Sequence, residues 1–450
     1  MAQANLSAEE IVRLSKQYTI FEWSAQAAVH PIPMSRAEGI FFWDANGKRY
    51  FDFNSQLMSV NIGHGNKRVI EAIKKQAEAL AYANPYMATE VRGMLGKKLA
   101  ELAPGDLNKS FFTLGGAEAN ENAIKIARMV TGRNKIIARY RSYHGGTAGA
   151  ATLTGDPRRW AAEPGIPGVV RVLDPYQYRC GFCSTSPTGC NQGCLRHVED
   201  VVEFEGPNNV AAIIMETVTG TNGILIPPDG YLQGLRALCD KHGIMLILDE
   251  VMAGFGRTGK MFACEHWNVV PDMMTVAKGL TSSYLPLGAV IMREKIAAHF
   301  EKNVFYGGLT YNSHPMGCAA ALAASGVLED DKLVENAAKV GKVLSRELNR
   351  MKEKHPSIGE VRSIGLFSIV ELVKDRKTRE PMAPYNARPD QMGVMNDVRK
   401  TLLDNGIYTF VRWNNFFVNP PLCITEEQLM EGLVQVEKAL DVADRAVLKA

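Results

Sequence analysis

Between residues 110 and 292 the chain repeats one pattern: a short apolar run, a stretch of helical period, then another apolar run. Seven such runs read as strands, at residues 110–113, 135–138, 169–172, 210–215, 244–248, 273–276 and 287–292. Helical patterns at 117–130 and 231–242 lie between several of them. Strands covered on both faces are continuous apolar runs, and strands joined through helices pair in parallel. The expectation is therefore an α/β large domain, residues 71–335, on a mainly parallel seven-stranded sheet. The flanks differ. Ser7 and Glu10 have capping-box spacing, and Asn46-Gly47 sits between apolar runs as a hairpin turn does. Helical patterns follow at 67–80 and 91–102. Beyond residue 336 come long polar helices and short strands at 366–372 and 416–418. Residues 1–70 and 336–450 are expected to form a smaller α+β domain assembled from both chain ends.

Charge and hydropathy exclude several classes. Lys and Arg number 51 against 48 Asp and Glu, a net charge of +3, which is no footprint for nucleic acid. No apolar run approaches the ~20 residues that span a bilayer. The first ten residues have neither a basic start nor an apolar core, so no secretory signal is expected and the protein reads as cytoplasmic. Eight cysteines are too few for a disulfide scaffold in 450 residues.

Four places carry chemistry. The run 244–248 ends in Asp249-Glu250, and ligands of open α/β sheets bind beyond the carboxyl ends of strands; a cap for the next segment is the plainer role for Asp249. The run 273–276 leads to Lys278-Gly279. A lysine at the rim of a crevice loses solvation, its pKa falls, and the neutral amine becomes a nucleophile. Gly115-Gly116 joins a strand to a helix, where amides and the helix N-terminus favour an anion. Tyr143-His144 places an aromatic ring beside small residues, which suits a planar ligand. A fifth motif, residues 254–260, fits G-x-x-x-x-G-K, but Met261 stands where a P-loop needs Ser or Thr.

Together these residues resemble the class III aminotransferases, fold-type-I enzymes dependent on pyridoxal phosphate. The resemblance runs from Trp43-Asp44 through Gly115-Gly116-Ala117, Tyr143-His144-Gly145, Asp249-Glu250-Val251, Gly254–Gly259 and Ala277-Lys278-Gly279 to Gly308–Tyr311 and Pro420-Pro421. It implies that Lys278 holds the cofactor through a Schiff base and then shuttles a proton. It implies that Asp249 pairs with the pyridine nitrogen and keeps the ring an electron sink. Tyr143 and Val251 would cover the two ring faces, with His144 and Glu216 close by. The Gly116 and Ala117 amides would bind the phosphate, and Thr310 would complete that site from a neighbouring subunit. A homodimer or dimer of dimers follows, with an amine donor and a keto-acid acceptor as small-molecule partners.

A finer resemblance is to taurine transaminases, carried by Glu22–Gln26, Ser55–Met58, Arg139–His144, Thr154–Trp160 and Thr310–Pro315. Broad-specificity ω-amine enzymes commonly carry Trp where this chain has Met58. The expected reaction is transfer of the amino group of taurine to 2-oxoglutarate. Pyruvate as acceptor, and β-alanine or 4-aminobutyrate as donor, are the alternatives. Arg412 is the first candidate for binding an anionic group, Arg158 the second, and Trp23 would shape the pocket wall. Glu216 is expected to pair with a mobile arginine. An aminomutase or decarboxylase on the same scaffold is a further alternative, and a non-catalytic nucleotide-binding protein built on residues 254–260 represents a different class.

Cys180, Cys183, Cys190 and Cys194 form C-x2-C and C-x3-C pairs on a Gly- and Pro-containing stretch. That pattern raises a structural zinc site, with surface thiols as the alternative. Cys239, Cys264, Cys318 and Cys423 sit in apolar surroundings and read as packing residues.

Overall fold

The computed structural model describes residues 6–183, 190 and 192–447. Seven strands make one sheet, in the spatial order Leu107–Thr113, Gly288–Arg293, Met273–Val276, Met245–Asp249, Val210–Glu216, Lys135–Arg139 and Val169–Val172. Only Gly288–Arg293 runs against its neighbours; the other pairings in this sheet are parallel. Each contains an expected run, shifted or extended by a few residues. Val210–Glu216 is buried at every position, as the apolar run Val210–Met215 requires, and it ends in the buried carboxylate of Glu216.

The two ends of the chain meet away from this sheet. Strands Met34–Glu38, Phe41–Asp44 and Arg49–Asp52 form an antiparallel meander, and Ile407–Tyr408 adds to its edge in parallel with Arg49–Asp52. Ile358–Ile364, Phe367–Asp375, Asn415–Val418 and Val411–Arg412 form a third sheet. The N-terminal helix Ala8–Tyr18 is capped by Ser7, whose hydroxyl accepts from the Glu10 amide. Helix Pro315–Asp330 had no counterpart in the sequence pattern. It is built from small and apolar residues and is buried on several sides, so it shows no polar face to give it a period.

The loop that mimics a P-loop is a structural clamp. Arg257 is fully buried, and burial lowers its pKa to about 9. Its Nη1 donates to the carbonyls of Leu366 (3.1 Å) and Pro420 (2.6 Å), and its Nη2 to Ser55 Oγ (3.0 Å) and Asn61 Oδ1 (3.2 Å). One guanidinium thus ties both chain ends to the large sheet. Gly259 has φ +82° and would drive a Cβ to 2.9 Å from the Ala338 backbone. The loop is packed against protein, and the helix that should follow a phosphate-binding loop is a short 3-10 turn, Ala263–Trp267. Glu250, next to Asp249, is a second clamp: it accepts from Thr217 Oγ1 and from the amides of Ala263 and Cys264. Burial raises its pKa to about 7 against those three hydrogen bonds.

The cysteine-rich segment lies partly outside the described residues, which omit 184–189 and 191. None of its four cysteines forms a disulfide; Cys194 is buried and Cys190 exposed. Cys180 hydrogen-bonds with Cys183, and all three other thiols act on Cys194, whose pKa burial pushes up to about 11. These sulfurs do not close into a ligand set. Among the described residues the group of three with mutual ligand spacing is His355, Asp441 and Asp444 instead. The zinc expectation therefore finds no support. Cys239, Cys264 and Cys318 are buried and Cys423 is partly so. No helix among the described residues is long and apolar enough to cross a membrane.

Arg257→Ala strands two buried carbonyls and empties a packed site, which should cost about 3 kcal/mol. Urea unfolding followed by tryptophan fluorescence measures this; a loss below about 1 kcal/mol would show that the clamp is dispensable.

Candidate active site

Five of the sheet's loops meet at the carboxyl ends of its parallel strands and enclose a cavity of about 420 Å³. Trp23, Tyr143, Arg158, Glu216, Asp249 and Lys278 are among the residues that line it. Lys278 directly follows the Met273–Val276 run and Ala277, in the left-handed region at φ 43°. A non-glycine residue there stores strain of the kind found at functional sites. Burial lowers its pKa to about 8, while the charges of Asp249 and Glu216 oppose that shift. A group with an ordinary value near 10.5 thereby gains a neutral fraction near physiological pH that a solvated lysine lacks, although the charged form still predominates there.

Asp249 ends the strand Met245–Asp249 and is 3 % exposed. Its Oδ2 accepts from Asn120 Nδ2 (2.8 Å) and lies 2.8 Å from His144 Nδ1, and its Oδ1 accepts from the Val251 amide (3.0 Å). Asn120 is fixed in turn by Thr275 Oγ1, which donates to its Oδ1 at 2.8 Å. The carboxylate is held rigidly by three elements and aimed into the cavity.

Helix Gly116–Thr131 opens on the same cavity with no side-chain cap at its N-terminus. Its first-turn amides have no intrahelical acceptors and present a partial positive charge. A Cβ on Gly116 would come within 2.9 Å of the Val251 side chain, so glycine allows that wall to close over the helix end. Glu216 accepts from the Tyr143 amide (3.0 Å) and the Gly220 amide (2.7 Å). Burial raises its pKa. Both of its carboxylate oxygens are taken by backbone amides, which makes it a brace under Tyr143; among the described residues no arginine forms an ion pair with that carboxylate, and Arg139 Nη2 donates instead to the Glu216 main-chain carbonyl at 2.6 Å.

Above Tyr143 stands a cationic corner. The Arg158 guanidinium lies 3.6 Å from the Tyr143 ring centroid and 5.4 Å from that of Trp23, and Trp23 meets Tyr143 edge-on at 5.9 Å. Arg158 donates to Asp156 and to Thr221 Oγ1 (2.8 Å). Arg412 reaches the same Asp156 oxygen at 3.1 Å. Burial and the charge of Arg158 lower the Arg412 pKa to about 10.

A buried lysine, a braced carboxylate, an open helix N-terminus and a stacked tyrosine fit a phosphorylated aldehyde cofactor. The sequence agrees. Residues 23–440 match the family model "Aminotransferase class-III". The chain belongs to the class III aminotransferases. Taurine:2-oxoglutarate aminotransferase from Bifidobacterium kashiwanohense, solved with pyridoxal phosphate and glutamate, superposes with a TM-score of 0.94 at 43% identity, covering 98% of this chain and 99% of that one. Taurine–pyruvate aminotransferase of Bilophila wadsworthia is 33% identical over 97% of this chain and 98% of its own. Putrescine–pyruvate aminotransferase of Pseudomonas aeruginosa is 32% identical over 95% and 97%. The family carries the fold-type-I architecture and implies pyridoxal phosphate as cofactor.

In this aminotransferase the structure brings Gly116, Ala117, Tyr143, His144, Glu216, Asp249, Val251 and Lys278 to one cavity, with Trp23 and Arg158 on its wall. Arg412 stands behind Arg158 at Asp156. Thr310 does not line this cavity; it lies exposed, its carbonyl accepting from Tyr82 Oη at 2.9 Å. Sequence reasoning named no role for Asn120, Asp156 or Thr221. Asn120 lies one turn into the Gly116 helix, on the side of Asp249, and that spacing was readable. Asp156 appeared only within the Thr154–Trp160 stretch of the resemblance.

The neutral form of Lys278 is needed to capture an aldehyde, so uptake of pyridoxal phosphate by the apo-protein should accelerate as pH rises through about 8 and then level off. Stopped-flow absorbance between pH 6 and 10 reads this; a rate that falls with pH across that range would contradict the assignment. Lys278→Ala should lose the bound cofactor's visible-edge band.

Proposed function

We propose that this aminotransferase moves the amino group of a small ω-amino acid or aminosulfonate, taurine first, to a keto acid, 2-oxoglutarate first. The products are sulfoacetaldehyde and glutamate. The observation that carries this reading is the paired cationic corner, Arg158 and Arg412 at Asp156, beside the lysine cavity. A substrate whose far end is a sulfonate or carboxylate finds guanidinium donors there, and the fork geometry of arginine suits both oxyanions. The taurine:2-oxoglutarate relative at 43% identity supports the donor and the acceptor. The taurine–pyruvate and putrescine–pyruvate relatives support pyruvate as a second acceptor.

When bound, pyridoxal phosphate supplies the carbonyl that condenses with the amine and the ring that takes up the electron pair released at the substrate carbon. The chain supplies the rest. Lys278 Nζ would hold the cofactor and, once released from it, accept and give back a proton within the cavity. Asp249, fixed by Asn120 and His144, keeps a negative charge at the cavity floor to pair with the pyridine nitrogen. Tyr143, braced at its amide by Glu216, and Val251 would cover the ring faces. The Gly116 and Ala117 amides would donate to the phosphate oxygens. Donor and acceptor use the cavity in turn, so the kinetics are ping-pong.

Thr310 fits a role in trans. It is exposed within an aromatic surface of Tyr82, Tyr311 and His314, with Tyr82 and Tyr311 rings 6.2 Å apart. A second copy packed on that surface would bring Thr310 to its partner's phosphate site.

A donor–acceptor matrix of taurine, β-alanine, 4-aminobutyrate and 1-phenylethylamine against 2-oxoglutarate and pyruvate tests the reading. Taurine with 2-oxoglutarate should give the highest kcat/KM; taurine as the poorest donor would sink it. Arg158→Ala should raise KM for anionic donors at least tenfold while sparing 1-phenylethylamine.

A further inference from the structure

Asp156 is fully buried, and its Oδ2 receives four donors: Arg158 Nη2 (2.6 Å), Arg158 Nε (3.1 Å), Asn222 Nδ2 (3.0 Å) and Arg412 Nη2 (3.1 Å). Its Oδ1 takes the Arg158 amide (3.0 Å) and again Arg158 Nε (3.1 Å). Both guanidiniums are themselves nearly buried, with 14% and 15% of their side-chain surface exposed. Among the described residues no other carboxylate forms an ion pair with either one. Glu22 lines the cavity but is exposed, where solvent screens its charge.

The corner therefore holds two positive charges and one negative charge. Like charges this close repel, and only the shared carboxylate offsets the repulsion. It also decides which donors remain. Arg412 makes a single hydrogen bond, to Asp156, and its buried Nε has no partner. Arg158 spends Nε and Nη2 on Asp156 and Thr221. The cavity wall therefore presents Arg158, backed by Arg412, with one net positive charge shared between the two guanidiniums.

We propose that Asp156 is a positioning residue that sets the charge balance of the substrate pocket, holding Arg158 and Arg412 together at one net positive charge so that singly and doubly charged anionic substrates are both accepted. This rests on the substrate reading above. A monoanion such as an aminosulfonate's far end neutralises the corner. A dicarboxylate keto acid brings one charge more than the corner offers and gains less than it would from two uncompensated arginines. The shared carboxylate narrows the gap between the two, which an enzyme that must alternate between them requires.

The test uses holoenzyme and its two keto-acid acceptors. Asp156→Asn keeps the shape and the cap oxygen for the Arg158 amide but raises the net charge to two. The ratio of kcat/KM for 2-oxoglutarate to that for pyruvate should rise tenfold or more, chiefly through KM, with the cofactor's absorbance band unchanged. Arg412→Leu brings the net charge to zero and should lower the same ratio tenfold or more. The double variant, with one uncompensated arginine, should return to within about threefold of the parent ratio. Asp156→Ser, which also retains a cap oxygen, gives the same measurement if the asparagine variant misfolds. If Asp156→Asn weakens both acceptors alike and leaves the ratio within twofold, Asp156 is only a structural cap and the proposal fails. If the parent enzyme shows no preference for anionic donors at all, the substrate reading fails, and this proposal with it.

Discussion

A carboxylate at the end of a central strand has lost its water, and such a charge persists only where donors replace that water. Asp249 meets this demand with Asn120, His144 and the Val251 amide. Each of those comes from a different part of the sheet's rim: the helix after Leu107–Thr113, the loop after Lys135–Arg139, and the turn after Met245–Asp249. Thr275, on the strand that leads to Lys278, locks Asn120. The polar network that stabilises Asp249 is thus the same network that brings helix amides, ring-stacking tyrosine and lysine to one cavity. Loosening it would misplace all three at once, because a half-satisfied buried network is costly everywhere along its length.

A second economy appears in the two glutamates nearby. Glu216 and Glu250 are both buried, and both spend their oxygens on neighbouring backbone amides. They are fasteners. Neither pairs with Arg158 or Arg412, whose common counter-ion is Asp156. Acidic residues in one site thereby separate into those that shape loops, one held at the cavity by side chains from its rim, and one that pairs two arginines.

The seven large-sheet strands were legible because a strand buried on both faces must be apolar throughout, and that signal is local. Lys278 and Asp249 were legible for the same reason: each follows such a run, at the strand ends where open α/β sheets bind their ligands. Helix Pro315–Asp330 was hidden because burial on several sides removes the polar stripe that gives a helix its period. The motif at residues 254–260 misled in the other direction. Its glycines and its arginine serve close packing, and only the tertiary partners of Arg257, drawn from residues 55, 61, 366 and 420, reveal that. Asp156 and Arg412 stand 256 residues apart in the chain, so no window of sequence could show that they share a charge.

The meander near the N-terminus waits for its last strand. Strand Arg49–Asp52 presents a free edge until Ile407–Tyr408 arrives, and Arg257 lacks an acceptor until Pro420 is in place. During synthesis the large sheet is complete after residue 293, more than a hundred residues before either event. The nascent protein therefore passes through a stage with a formed cofactor domain, an open hairpin edge and a buried guanidinium partly unpaired. Unpaired edges invite association. For this fold, adding the stretch from Ile407 to Pro420 and escaping aggregation are linked, and that stretch acts as a closing seam.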